Sequence, residues 1–125
     1  MRVIAATLVT SLAVALGCGP PQVTFTPLGT GRTFPPTPDS VAIPLFATAK
    51  PECPYDEIAA ITIEGHGHHS EAEVLEALIA KARTVGAHAI AGFTQSTRAD
   101  AGSVTTDVHV RSGTAIRFRS PDCMK

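Results

Sequence analysis

Three imidazoles within four positions, in Gly65-His66-Gly67-His68-His69, form the densest set of ligand-type side chains in the chain. Imidazole is a common ligand for zinc, copper and nickel. A closed structural zinc site needs about four converging ligands. His66, His68 and His69 are expected at the top of a sheet, just before a helix. Asp100, in a polar turn at the same end, is the one residue placed to join them. His88 is expected at the far end of its strand, and His109 midway along the polar face of another, so neither is recruited. No CxxC or HExxH partner accompanies the loop. It therefore reads as a solvated, glycine-flexed loop, with a transition-metal site at His66, His68 and His69 as the alternative and no other cofactor implied. Catalytic chemistry is not expected. No serine stands in a GxSxG elbow, and Glu71, Glu73 and Glu76 read as the acidic start of a helix. Ten Lys+Arg against eleven Asp+Glu leave a net charge of −1, without the basic footprint that nucleic acid would require.

Cysteine is the other reactive residue type, and the first of the three has a distinctive setting. Arg2 is followed by an uncharged apolar run from Val3 to Leu16, 14 residues long. That matches a secretory h-region and falls short of the ~18–20 residues needed to span a bilayer. The run ends in Val14-Ala15-Leu16-Gly17-Cys18, which resembles the lipobox of bacterial lipoproteins, with Ala15 where leucine is preferred. The resemblance implies a signal peptide over 1–17, cleavage after Gly17, a diacylglycerol on the Cys18 thiol and acylation of the new amine. The plain alternative is an ordinary signal peptide with a coincidental cysteine. Two or three acyl chains give stable anchoring, because each buried CH₂ contributes about 0.8 kcal/mol. The next residue is Gly19 rather than Asp. Under the Gram-negative sorting rule this favours the outer membrane, facing the periplasm.

Residues 19–40 contain six of the ten prolines. Such a stretch does not sustain a helix or a central strand, so 18–40 reads as the lipidated cysteine and a semi-extended tether. Residues 41–125 are left to fold. The segment 41–46 alternates, but Pro44 restricts it to a sheet edge. Residues 58–64 are rich in β-branched side chains and read as a strand. Ser70 and Glu73 fit a capping box. Leu75, Leu78, Ile79, Ala82 and Val85 follow helical spacing, with Gly86 as the stop. Residues 87–94 read as a buried strand, and 97–103 as a turn. From Val104 to Phe118 the β-formers hold the even positions without a parity flip, which fits one long strand better than a hairpin. Arg111, Arg117 and Arg119 share its odd face, a solvated or partner-facing surface.

The expected fold is a two-layer α+β domain of order β-β-α-β-β, one helix on a mixed sheet of about four strands. The strands flanking the helix are expected as a parallel pair with a right-handed crossover, and the last strand returns antiparallel. Cys53 and Cys123 then fall at the same end of the sheet, opposite the helix start. In an exported protein they are expected to form a disulfide. A domain this small is marginal without such help, or without an oligomer or the tether folding over an open face.

The stretch EVLEALIAKARTVGAHAIAGF, residues 73–93, followed by VRSGTAIRF, residues 110–118, resembles the YbjQ-like and RcsF-like group of small α+β domains. The matching positions are Ala82, Gly86, Ala87, Ala89 and Ile90, then Gly113, Thr114, Ala115 and Ile116. The resemblance implies a lipid-anchored envelope lipoprotein with a non-catalytic interaction or stress-sensing domain. Its partners would be the membrane, through the anchor, and an unidentified envelope protein, with a homo-oligomer as a further option. RcsF has two disulfides, whereas one pair is available here. The YbjQ group also carries a heavy-metal label, which gives the alternative of a periplasmic metal-binding lipoprotein using the GHGHH loop.

Overall fold

The computed structural model describes residues 19–29, 32–99 and 107–124. The apolar run, Cys18 and Asp100 lie outside them. Four strands and one helix follow in the order β1 (Gln22–Pro27), β2 (Tyr55–Gly65), α1 (Glu71–Thr84), β3 (Ala89–Ala99) and β4 (Asp107–Phe118), with a short 3-10 turn over Pro121–Met124. The sheet order is β1-β2-β4-β3. This is the expected small α+β domain, with three corrections to the sheet. Adjacent strands pair antiparallel throughout. β2 and β3 run in the same direction, but β4 lies between them, so they form no parallel pair. No described helix is long and apolar enough to cross a membrane.

The second correction concerns the tether and the first strand. Gln22–Pro27 pairs with β2, from Gln22 against Glu64 to Pro27 against Ala59. The run from Val23 to Thr26 has high β propensity, and its flanking prolines are tolerated because β1 is an edge strand. Residues 43–46 instead line the outer side of β3, through a parallel bridge at Leu45–Ile90. Pro44 has no N–H, and the contact does not need one. Its carbonyl accepts the Ile90 N–H, and the Phe46 N–H donates to the Ile90 carbonyl.

The segment between β1 and this bridge is also held. Thr37 is buried; its hydroxyl donates to the Ala87 carbonyl at 2.6 Å, and its N–H donates to the Arg83 carbonyl. Arg83 in turn donates to the carbonyls of Pro38 and Val41. Much of the proline-rich stretch is therefore strapped over the C-terminal half of α1.

The helix forms as its ends dictate. The Ser70 hydroxyl accepts the Glu73 N–H at 3.1 Å, which satisfies one of the donors left open at a helix start. Glu71 and Glu73 lie in the first turn, and Lys81 and Arg83 in the last, as the helix dipole prefers. Gly86 terminates it at φ 84°, a left-handed conformation that glycine adopts at little cost. Val74, Leu78 and Ala82 form its buried stripe, against Ala59, Ile61 and Ile63 of β2, Ile90 of β3 and Ala115 of β4.

Directly opposed residues of an antiparallel pair share a face. Ile61 faces Gly113, Ile63 faces Arg111 and Gly65 faces His109. Arg111, Gly113 and Ala115 thus lie under the helix, which corrects the reading of that face as solvated or partner-facing at Arg111, while Arg119 remains largely exposed. The reason is volume. A side chain at Gly113 would collide with Ile90, and one at Gly65 with Val74. The layers close because the odd face is small there, while the bulkier β-branched residues stand on the other side.

Candidate functional site

The upper rim of the sheet brings the histidine loop together with the start of the described chain. His69 is 7% exposed, and both of its ring nitrogens are engaged. Nδ1 accepts the His66 backbone N–H at 3.0 Å. Nε2 lies 2.7 Å from the Gly19 carbonyl. A carbonyl only accepts, so Nε2 carries the proton and Nδ1 does not. This neutral tautomer ties together two segments 50 residues apart. The His68 ring lies against that of His69, with centroids 3.9 Å apart.

The loop is therefore organised around hydrogen bonds of His69. Among the described residues, no group of three or more His, Cys, Asp or Glu side chains is arranged to hold a metal ion. His66, His68 and His69 are neighbours in space, but His69 offers no lone pair in this arrangement.

Beside the loop, Glu71 collects two partners from the odd face of β4: His109 Nδ1 at 3.7 Å and Arg111 at 3.8 Å. Arg111 is buried, so its stem packs under the helix while its head reaches the rim. His109 also meets the Thr97 hydroxyl at 3.2 Å. On the face away from the helix, Arg98 pairs with Glu64 at 3.3 Å.

The lower end is built differently. Cys53 and Cys123 form the expected disulfide, closing 70 residues, with Cα atoms 6.1 Å apart. Arg119 pairs with Asp56 at 2.9 Å. Arg117 donates to the Gly86 carbonyl at 2.8 Å, and its guanidinium lies 4.6 Å from the centre of the Phe34 ring. Both contacts place a cation where the helix C-terminus and an aromatic face favour one. His88 accepts the Phe118 N–H through Nδ1 at 3.1 Å. Burial, and then the Arg117 charge, lower its pKa from 6.5. A groove of about 620 Å³ opens at this end, lined in part by Arg32, Phe34, Tyr55, Glu57 and Arg119.

The sheet face away from the helix carries a row of hydroxyls, one per strand: Thr24, Thr62, Ser112 and Thr94. Thr94 and Ser112 hydrogen-bond at 2.7 Å.

The histidine loop stands at the helix start and the two cysteines at the opposite end, as their positions in the sequence predict, whereas His109, expected midway along its strand, stands beside the loop. Neither the Gly19 carbonyl as the partner of His69 nor Thr37 as the strap is legible in the sequence. Gly19 offers no side chain to notice. Thr37 sits in a proline-rich stretch where a single threonine stands out from nothing.

Fold and site together define a small two-layer α+β domain closed by a disulfide at one end and a histidine clamp at the other. No protein-family model matches the chain, and no curated protein matches it. Among solved structures the chain is similar to the Francisella virulence factor FvfA, in its orthorhombic crystal form, with a TM-score of 0.55 at 16% identity. The match covers 80% of this chain and 99% of that one. At that identity the likeness is one of fold.

Proposed function

We propose that the chain is a lipid-anchored bacterial envelope lipoprotein of the YbjQ-like or RcsF-like kind, held at the outer membrane facing the periplasm. Its folded part is a non-catalytic interaction or stress-sensing domain. The observation that carries this reading is the uncharged run from Val3 to Leu16 after Arg2, ending on Gly17-Cys18. A disulfide between Cys53 and Cys123 is consistent with an oxidising compartment. The groove beside Tyr55 and Arg119, with its mixed charges and aromatic walls, is the surface offered to an envelope protein partner.

The test is incorporation of radiolabelled palmitate in bacterial cells. Label should appear in the wild type and disappear in Cys18→Ala. A wild type that takes up no label would remove the reading.

A further inference from the structure

The lipid anchor proposed above needs a distance to the domain, and the geometry points to almost none. We propose that the rim made by Gly19, Pro20 and the His66–His69 loop rests directly on the bilayer, so that the domain stands upright with its disulfide end facing away. This rests on lipidation at Cys18.

Four observations carry it. The Gly19 carbonyl is fixed by His69 Nε2 at 2.7 Å. The ring is buried and held at its other nitrogen by His66, so it serves as a rigid post rather than a loose contact. Gly19 is the residue after Cys18, and successive Cα atoms are about 3.8 Å apart. Finally, β1 starts at Gln22, so no slack follows the clamp either. A free tether of 22 residues would reach roughly 70 Å when extended; the clamp cancels that reach. The acidic residues that flank the loop are paired: Glu64 with Arg98, and Glu71 with His109 and Arg111, which offsets their repulsion from an anionic lipid surface. The strand direction then sets the orientation. β2 runs 11 residues from the disulfide end to the rim, roughly 35 Å at strand rise. The groove near Tyr55 and Arg119 is presented at that height.

The chain has no tryptophan, so single tryptophans report depth without background. Full-length lipidated protein, as His68→Trp or Met124→Trp, is reconstituted into phosphatidylethanolamine–phosphatidylglycerol vesicles carrying a nitroxide on the lipid headgroup. Both positions are exposed, one at the rim and one at the disulfide end. Emission from the His68→Trp variant should be quenched several-fold more than that from Met124→Trp. Insertion of ten Gly/Ser residues between Cys18 and Gly19 leaves the fold intact and should bring the two close to equal. Equal quenching without the insertion, or rim quenching that survives it unchanged, overturns the proposal. Vesicle flotation of the same samples separates the two readings. A wild type that does not float overturns the anchor and with it the orientation. One that floats with equal quenching overturns the orientation alone.

Discussion

At the lower end of the sheet the chain is closed by a covalent bond, and at the upper end by an imidazole. The Cys53–Cys123 bond joins the approach to β2 with the exit from β4. The His69 clamp joins the turn after β2 with the residue preceding the first proline. Both are long-range closures, of 70 and 50 residues. They differ in how they fail. A disulfide constrains the unfolded chain as well, so its loss lowers the stability of the whole domain. A hydrogen-bonded clamp acts only in the folded state, so its loss should free one edge and leave the rest standing.

That contrast can be broken at several points. The largest effect should follow Cys53→Ser with Cys123→Ser. Closing a loop of this length contributes about 4 kcal/mol in the chain-entropy model, and urea unfolding should show a loss of that order. A loss below about 1 kcal/mol would mean that the lower end is held by its noncovalent contacts.

His69→Ala should cost about 2 kcal/mol, because it leaves the His66 N–H and the Gly19 carbonyl without their partner. Its signature is local. Amide exchange should accelerate at residues 23–26, while amides of β2 next to the disulfide end stay protected. Uniform acceleration would show that the two ends do not act separately. Ser70→Ala should cost about 1 kcal/mol through the lost cap, with thermal melting as the readout. It tests whether the helix start supports the clamp beside it, so exchange at residues 23–26 should move little.

The smallest effect belongs to His88. Its pKa is lowered on folding by burial and by Arg117, so the folded state favours the neutral ring that accepts from Phe118. The unfolded chain binds the proton more readily, so stability rises with pH across this window. The contribution is complete above the unfolded value near 6.5 and is lost as pH falls through the lower, folded value. Urea midpoints of the wild type should fall on acidification below about pH 6.5, and those of His88→Asn should fall less. Parallel curves would remove His88 from the account.

Much of this arrangement was legible in the sequence. Ser70 and Glu73 mark the helix start, and Gly86 its end, because capping is local chemistry. The unbroken parity of the last strand showed that it runs through Ser112-Gly113 without a hairpin, while its expected start at 104–106 lies outside the described residues. Parity did not say which face was inward. Size decided that: Gly113 and Ala115 lie under the helix because larger groups would not fit, and Arg111 follows them inward with Glu71 at its head. β1 was hidden by the density of prolines around a short run from Val23 to Thr26. The clamp was hidden for a different reason. His69 read as part of a solvated, glycine-flexed loop, with metal ligation as the alternative, whereas its ring is buried and meets a backbone carbonyl, a group that every residue type possesses.

The position of β4 bears on when the fold can exist at all. It is the last of the four described strands and an interior strand of the sheet, paired with β2 on one side and β3 on the other. A chain delivered from its amino end, by a ribosome or through a pore, presents β1, β2, the helix and β3 with a gap where their shared neighbour belongs. Cys53 must likewise wait for Cys123, 70 residues later. Bringing together ends 50 residues apart, as the histidine clamp does, costs about 3.5 kcal/mol in loop entropy, and without the interior strand little offsets it. Such a chain cannot complete its sheet until β4 has arrived.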